Sequence, residues 1–477
     1  MDRPFRPRLK PIPAAISATG SRRNLEVTVI GCGLAGALLA LLLARRGHRV
    51  SVYERRADPR RAGAESGRSI NLALATRGIR ALTAAGIMER VQPLLIGMRG
   101  RMVHTGDDVA HPPQLQPYGQ RAHEVIHSVS RARLNRLLIE AAAAQPGVTL
   151  HFDTACTDVD LARGTLTLRA TGSDTVRETS LGPTFATDGA GSAVRQALGS
   201  AGRLSAHIDE LEHDYKELLL PARAGGFALD PNALHIWPRR GFMLIALPNI
   251  DHSFTVTLFL PRHGAASFDN LRGTADIDAF FQREFPGAAA LIPDLAAQFR
   301  SNPQGRLGTV HAAPWAAGPV LLLGDAAHGI VPFHGQGMNA AFEDCVLLDE
   351  LLHDPRHADL PWPELFQRFE ATRRPDTEAI ATLSLENYAE MRSDVLDPKF
   401  VRQKALGLEL ERRFPQAFIP EYAMVMFHAE IPYAEALRRG RLQQRILEQL
   451  DTARLPDGAP DYGLAGRLLA SAEALSR

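Results

Sequence analysis

The chain has 477 residues, more than one ordinary hydrophobic core accommodates, so two or three domains are expected. Its 54 basic and 53 acidic side chains leave a net charge of +1, which gives no basic surface of the kind nucleic acid requires. Apolar residues at 45% describe an ordinary soluble protein, and Cys32, Cys156 and Cys345 form no C-x-x-C pair, which excludes a disulfide framework or cysteine zinc site and suits a reducing, cytoplasmic compartment.

Residues 1–23 are basic and contain proline without the apolar run of a signal peptide, and they read as a disordered arm. No apolar stretch of about 18 residues occurs, so no membrane span or anchor is expected. Val27 to Ile30 is a β-branched run that meets Gly31-Cys32-Gly33-Leu34-Ala35-Gly36, and the apolar run Ala37 to Ala44 follows directly. In this G-x-G-x-x-G pattern Gly31 permits the turn, Gly33 lets a pyrophosphate approach the backbone, and Gly36 lets helix and strand pack closely. The next strand, Val50 to Tyr53, ends at Glu54, placed to accept hydrogen bonds from ribose hydroxyls. These features predict a dinucleotide site.

Further along, Gly67 to Leu74 reads as a short buried strand or turn and Arg77 to Ala85 as a helix. Val125 to Ser130 is strand-like, Arg131 to Ala144 is an amphipathic helix, and Gly147 to Phe152 resumes a parallel sheet. Thr157 to Ser180 predicts an inserted antiparallel hairpin. Thr187-Asp188-Gly189 ends a strand, and a helix carrying Ser192 and Arg195 follows, which favours a second cofactor loop. The runs Leu234 to Trp237, Phe242 to Leu247 and Ser253 to Leu260 predict a separate antiparallel sheet on the substrate side. Val320 to Gly324 is a buried strand ending at Asp325, and Gly335-Gln336-Gly337 opens a helix through Asp344. Asp325 is placed to bond a ribityl-like chain, and the helix start suits a ring that gains negative charge on reduction. His328 has no ligand-spaced partner, so no metal is assigned. From Phe342 onward the pattern is helical, with breaks expected at Pro361, Pro375, Pro398, Pro415 and Pro432.

Together the G-x-G-x-x-G turn, the Asp188-to-Arg195 stretch and the Gly324-to-Gly337 stretch resemble the FAD-dependent aromatic hydroxylases of the p-hydroxybenzoate hydroxylase class. Within that class, Gly67 to Leu74, Met98 to Met102, His235 to Pro238, Ala246 to Asn249, Val331 to Asn339, Glu386 to Arg392 and Phe418 to Val425 resemble the kynurenine 3-monooxygenase family. The resemblance runs from about Val27 to Tyr433. It implies an α/β fold: a Rossmann-like FAD-binding domain over 24–205 and 305–350, with 95–120 contributing to the substrate side. A substrate-binding antiparallel sheet over 206–304 and a helical region over 351–477 complete it.

Besides Gly31, Gly33, Gly36 and Gly337, the resemblance assigns FAD contacts to Ala35, Tyr53, Glu54, Arg55, Arg56, Ala73, Arg131, Cys156, Asp188, Asp325, Met338 and Asn339. It assigns the substrate carboxylate to Arg101 and Tyr118, and the substrate surroundings to Phe254, Phe333, His334, Asn387, Glu390, Met391 and Tyr422. Three departures stand out. Gly182 to Thr187 is less aliphatic than the family's cofactor strand, the Arg101–Tyr118 linker is longer, and the membrane anchor of mitochondrial members is absent, which points to the soluble bacterial type.

The implied reaction is hydroxylation of L-kynurenine through a flavin C4a-hydroperoxide, with non-covalent FAD, NADPH as co-substrate and O₂, and no protein general base. It belongs to tryptophan degradation. A guanidinium fork at Arg101 suits a carboxylate. Small molecules are the expected partners, and a homodimer is left open. A related hydroxylase of another aromatic acid, a flavin halogenase and a non-catalytic flavin-binding module are the alternatives.

Overall fold

The computed structural model describes residues 25–61, 71–105, 112–392, 397–453, 455 and 459–474. The expected N-terminal arm, the start of the Gly67-to-Leu74 motif and part of the Arg101–Tyr118 linker lie outside those residues. The chain forms two compact units. One gathers residues 1–95, 129–210 and 308–377, and the other 96–128, 211–307 and 378–477.

At the centre of the first unit is a six-stranded sheet ordered Ala316–Ala317, Val320–Leu322, Thr184–Ala186, Glu26–Ile30, Arg49–Tyr53, Val148–His151. All neighbours are parallel except the first pair. Buried on both faces, such strands read as continuous apolar runs. Thr184 meets that demand by donating its hydroxyl to Gly182 O at 2.8 Å, so the less aliphatic cofactor strand is fully buried all the same. Glu26–Ile30 has a strand on each side and the chain leaves it in both directions, so its carboxyl end is a topological switch point, where open α/β sheets bind ligands. The Leu34–Arg45 helix buries Gly36 to Leu43 against this sheet. The expected hairpin is instead a three-stranded antiparallel sheet of Thr154–Asp160, Thr165–Ala170 and Val176–Ser180. Its first strand begins before Thr157, because Thr154 to Cys156 pair with Ala170 to Leu168.

Most of a seven-stranded sheet lies in the second unit, in the order Gln304–Ala313, Ser205–Leu220, Phe254–Pro261, Met243–Pro248, Leu234–Pro238, Gly100–Val103, Gln114–Pro117. Neighbouring pairs from Ser205–Leu220 to Leu234–Pro238 are antiparallel, whereas Gly100–Val103 pairs parallel with Leu234–Pro238, Arg101 opposite Leu234. One core packs Leu244, Val256 and Leu258 with Phe280 and Phe281 of the Thr274–Glu284 helix, Phe285 just after it, and Phe299 of the Leu295–Ser301 helix.

The C-terminal pattern is helical as expected, with one correction. Pro361, Pro398, Pro415 and Pro432 stand at helix boundaries, but Pro375 lies inside the Trp362–Arg392 helix. An interior proline costs about 3 kcal/mol. Leu365, Phe366 and Phe369 before it and Ile380 and Leu383 after it are all buried. At about 1.5–3 kcal/mol for each buried large apolar side chain, packing on both sides outweighs the break.

Candidate active site

The first unit builds a cradle around the Gly31 turn. Gly31 has φ +95°, and a Cβ there would lie 2.6 Å from Thr187 O. At Gly36 a Cβ would lie 2.0 Å from Gly31 O, so helix and strand approach too closely for any side chain. Thr187 locks the turn from the neighbouring strand, its hydroxyl lying 2.9 Å from both Ile30 O and Gly31 O. Gly33 differs from both. Its backbone is extended, and a Cβ would meet no atom of the described residues within 4 Å. No described residue demands glycine at that position, whereas a pyrophosphate lying against the backbone would. The Leu34–Arg45 helix has no side-chain N-cap and no acid in its first turn, which leaves its positive end to an anion.

Glu54 is set by the same turn: Cys32 N–H donates to one carboxylate oxygen at 2.8 Å and Arg56 N–H to the other at 2.9 Å. Each oxygen keeps a lone pair for a ribose hydroxyl. Arg55 and Arg56 are exposed, Tyr53 is buried and stacks on His151 with ring centres 4.7 Å apart, and Arg131 is exposed at the start of its helix. Cys156 is buried on the Thr154–Asp160 strand, and burial pushes its thiol up to about 12. Burial likewise pushes Cys32 up to about 12, helped by Glu54.

Asp188 accepts from Ala193 N–H at 2.8 Å through one oxygen, while its other oxygen is buried without a hydrogen-bond partner among the described residues. Burial raises its pKa against the opposing backbone donors. A buried acceptor left unmatched beside the Gly-rich turn fits a hydroxyl-bearing cofactor. Arg195, which sequence reasoning noted only as a helix residue, donates to Ala326 O at 2.8 Å and to Ala190 O, tying this loop to the Asp325–His328 turn.

Asp325 is exposed at the start of that turn, directly after the Val320–Leu322 strand. Asn339 is fully buried and clasps backbone: its carbonyl accepts from Ala75 N–H at 3.0 Å, and its amide donates to Ala73 O and Gly335 O at 2.9 Å. Gly335 is left-handed at φ +66°, and a Cβ would press on Ala73 at 2.9 Å. Ala73, Gly335 and Asn339 are therefore one assembly, with Gly337 and Met338 on the helix start between the last two. Ala35 joins the Gly337–His353 helix by accepting from the Cys345 thiol at 3.4 Å. Phe333 and His334, expected near the substrate, are buried in the Pro332–His334 turn of this same unit.

Beneath the turn lies a network the sequence did not announce. Fully buried Asp344 accepts from Arg373 Nε at 2.6 Å, His328 Nε2 at 2.7 Å and Gly324 N–H at 3.1 Å. Burial alone would raise its pKa, but His328 and Arg373 hold it down at about 2. His328 is thus hydrogen-bonded scaffold.

The second unit gathers the other expected substrate residues. Arg101 is buried on the Gly100–Val103 strand, whereas Arg99, just before that strand, is exposed. Arg101 Nη1 donates to Glu390 at 2.6 Å and Nη2 to Asn387 at 3.1 Å, and its guanidinium carbon lies 5.0 Å from the centre of the Tyr422 ring. Burial would lower the Arg101 pKa, yet Glu390 and the two tyrosines raise it, so it stays charged. Tyr118 stacks on Tyr422 with centres 5.5 Å apart, and burial pushes both phenols up, keeping them neutral donors. Met391 accepts from Asn387 Nδ2 at 3.4 Å. Lys404, missed from sequence because an isolated lysine on an amphipathic helix carries no signal, is pushed down to about 8 by burial and by Arg101. Two cations against one carboxylate leave the cluster ready for an anion.

Phe254 is fully buried and packs edge-on to His235, with ring centres 5.7 Å apart. His235 and His104 form a neutral pair, also missed from sequence. His235 Nε2 donates to Asp230 O at 2.9 Å, which leaves its Nδ1 to accept from His104 Nε2 at 2.9 Å. Burial, then the nearby His235, pushes His104 down to about 3.

The FAD binding domain family matches residues 24–383. The chain is 49% identical over 434 residues to kynurenine 3-monooxygenase of Xanthomonas campestris pv. campestris (strain 8004), covering 91% of this chain and 93% of that protein. It is 46% identical to the enzyme of the same name from Myxococcus xanthus (strain DK1622), covering 90% and 91%. Among solved structures, 2-methyl-3-hydroxypyridine-5-carboxylic acid oxygenase superposes with a TM-score of 0.61 at 19% identity, covering 79% of this chain and 94% of that one, and shows the shared fold. PqsL of Pseudomonas aeruginosa, solved with 2-aminobenzoylacetate, gives 0.61 at 23% identity, covering 78% and 97%. With the Gly31 cradle, the FAD domain match and near-complete coverage of these relatives, the chain belongs to the kynurenine 3-monooxygenase family of FAD-dependent flavoprotein monooxygenases.

Proposed function

We propose that this protein converts L-kynurenine to 3-hydroxy-L-kynurenine, with FAD held non-covalently, NADPH as reductant and O₂ as the source of the inserted oxygen. The observation that carries the substrate assignment is the buried Arg101 cluster, which combines a fixed guanidinium, two neutral phenols and a carboxylate. Bound FAD supplies hydride acceptance and the activation of O₂. The protein's share is binding, orientation and charge. Arg101 takes the substrate carboxylate through its fork, with the Tyr118 hydroxyl as a further donor. Glu390, which holds the same guanidinium here, then serves as counter-charge for the substrate ammonium group. The aniline nitrogen of kynurenine already activates the ring carbon beside it, so no side chain is assigned as general base. Three buried thiols, all with raised pKa, are poor nucleophiles, which favours non-covalent flavin. Their reduced state suits the cytoplasm.

The test compares kynurenine with its decarboxylated analogue in wild type and Arg101→Ala. Losing one partner of a buried charge pair costs about 2–5 kcal/mol. That corresponds to roughly thirtyfold to several thousandfold weaker kynurenine binding, with flavin content unchanged. The analogue should bind wild type poorly, and the gap between the two compounds should close in the variant. Arg101→Lys should recover only part of the affinity, because an ammonium cannot form the fork. A near wild-type KM in Arg101→Ala would place the carboxylate elsewhere.

A further inference from the structure

On the Ser205–Leu220 strand, His207 and Asp209 alternate with Ile208 and so share a face, and His311 stands on the adjacent Gln304–Ala313 strand. A Cβ on Gly308 would meet Ile208 Cγ2 at 2.8 Å and Asp209 O at 3.1 Å, so the two strands run close together here. Gly308 and Ile208 belong to one face of the pair, and the three polar side chains to the other.

The separations within this trio are longer than those of most His–carboxylate contacts in the described residues. His207 Nε2 lies 3.6 Å from one Asp209 oxygen, and His311 Nε2 lies 3.3 Å from the other. Among the other described His–carboxylate contacts, three close to a hydrogen bond, 2.6 Å for His263–Asp269, 2.7 Å for His328–Asp344 and 2.7 Å for His428–Glu430, and His353–Asp349 stands at 3.3 Å. Bonds of about 2.0–2.1 Å to a tetrahedral zinc ion place neighbouring ligand atoms about 3.3 Å apart. One donor atom from each of the three residues lies within 4.8 Å of the others, and the two imidazoles lie nearly parallel at 17°, both presenting Nε2 to the carboxylate.

We propose that His207, Asp209 and His311 form a binding site for a divalent transition-metal ion, zinc above all, on the face of this strand pair. Two imidazoles and one carboxylate are a ligand set that zinc accepts, and hard cations such as Mg²⁺ and Ca²⁺ favour all-oxygen sites. The side chains are 64%, 68% and 42% exposed, so water completes the coordination and the ion exchanges freely. The bound ion ties the two strands together and stabilises the folded protein. Sequence reading missed the site because its ligands come from strands about a hundred residues apart and show no metal-binding motif.

The experiment uses flavin-loaded protein stripped with a chelator and dialysed free of it, titrated with Zn²⁺ against a chromophoric indicator. Wild type should take up one zinc per chain, and zinc should raise its melting temperature. His207→Ala and His311→Ala should each weaken that uptake by about tenfold or more and abolish the rise. Flavin content and zinc-free melting temperature should be unchanged in both, since the altered side chains lie on the surface. If wild type binds no zinc, or either variant binds it as wild type does, the proposal is wrong.

Discussion

Gly31 and Gly33, two residues apart in one motif, are glycine for different reasons. Gly31 is required by the fold, through its left-handed φ and its approach to Thr187 O, whereas no described residue requires glycine at position 33, where we propose that the pyrophosphate does. Gly31→Ala should therefore destabilise the apoprotein by about 1–3 kcal/mol, as backbone strain of this kind does. Gly33→Ala should leave apoprotein unfolding within about 0.5 kcal/mol of wild type, as a substitution in open space does, yet lose FAD affinity by about tenfold or more. Chemical denaturation and the flavin-to-protein ratio after dialysis separate the two effects. Full flavin retention in Gly33→Ala would move the pyrophosphate away from this turn. These roles were legible in the sequence because the motif fixes them through backbone sterics. The roles of Thr187, Asp344 and Lys404 were not, since each depends on a partner remote in sequence or on burial.

Single elements are held by buried polar anchors as much as by apolar faces. The Gly337–His353 helix carries Asp344, which ties Arg373, His328 and Gly324 together. Asp344→Asn should cost about 3–5 kcal/mol, the penalty for breaking a buried pair, read as a lower urea midpoint at neutral pH. Its folded pKa of about 2 lies below the ordinary value, so the stability it contributes is present above about pH 4 and is lost as pH falls toward 2. The His104–His235 pair acts higher on the scale. Both are depressed, His104 to about 3, so the unfolded chain binds their protons first and stability falls as pH drops below about 6.5. Urea unfolding should show a decline between about pH 6.5 and 4.5 with a slope of up to about 1.4 kcal/mol per pH unit for each proton, and His104→Gln should make it shallower by the share of one proton. A flat profile in wild type would contradict the neutral pair. Strands and helices with strong periodicity were read correctly. The Pro375 break was not, because a local penalty is outweighed by burial that local sequence does not display.

Over the whole molecule, the proposed roles divide between the two units. The first holds the Gly31 cradle proposed for FAD, and the second the Arg101 cluster proposed for the substrate carboxylate. No described helix is long and apolar enough to cross a membrane. The family was legible because short motifs on both units recur along most of the chain, while the division between units follows long-range contacts that no local pattern encodes. The most direct measurement incubates the purified flavoprotein with NADPH, L-kynurenine and ¹⁸O₂. Substrate-stimulated NADPH oxidation should accompany 3-hydroxykynurenine carrying one ¹⁸O atom, identified by mass. NADPH oxidation unaffected by kynurenine, with the substrate recovered unchanged, would contradict the account.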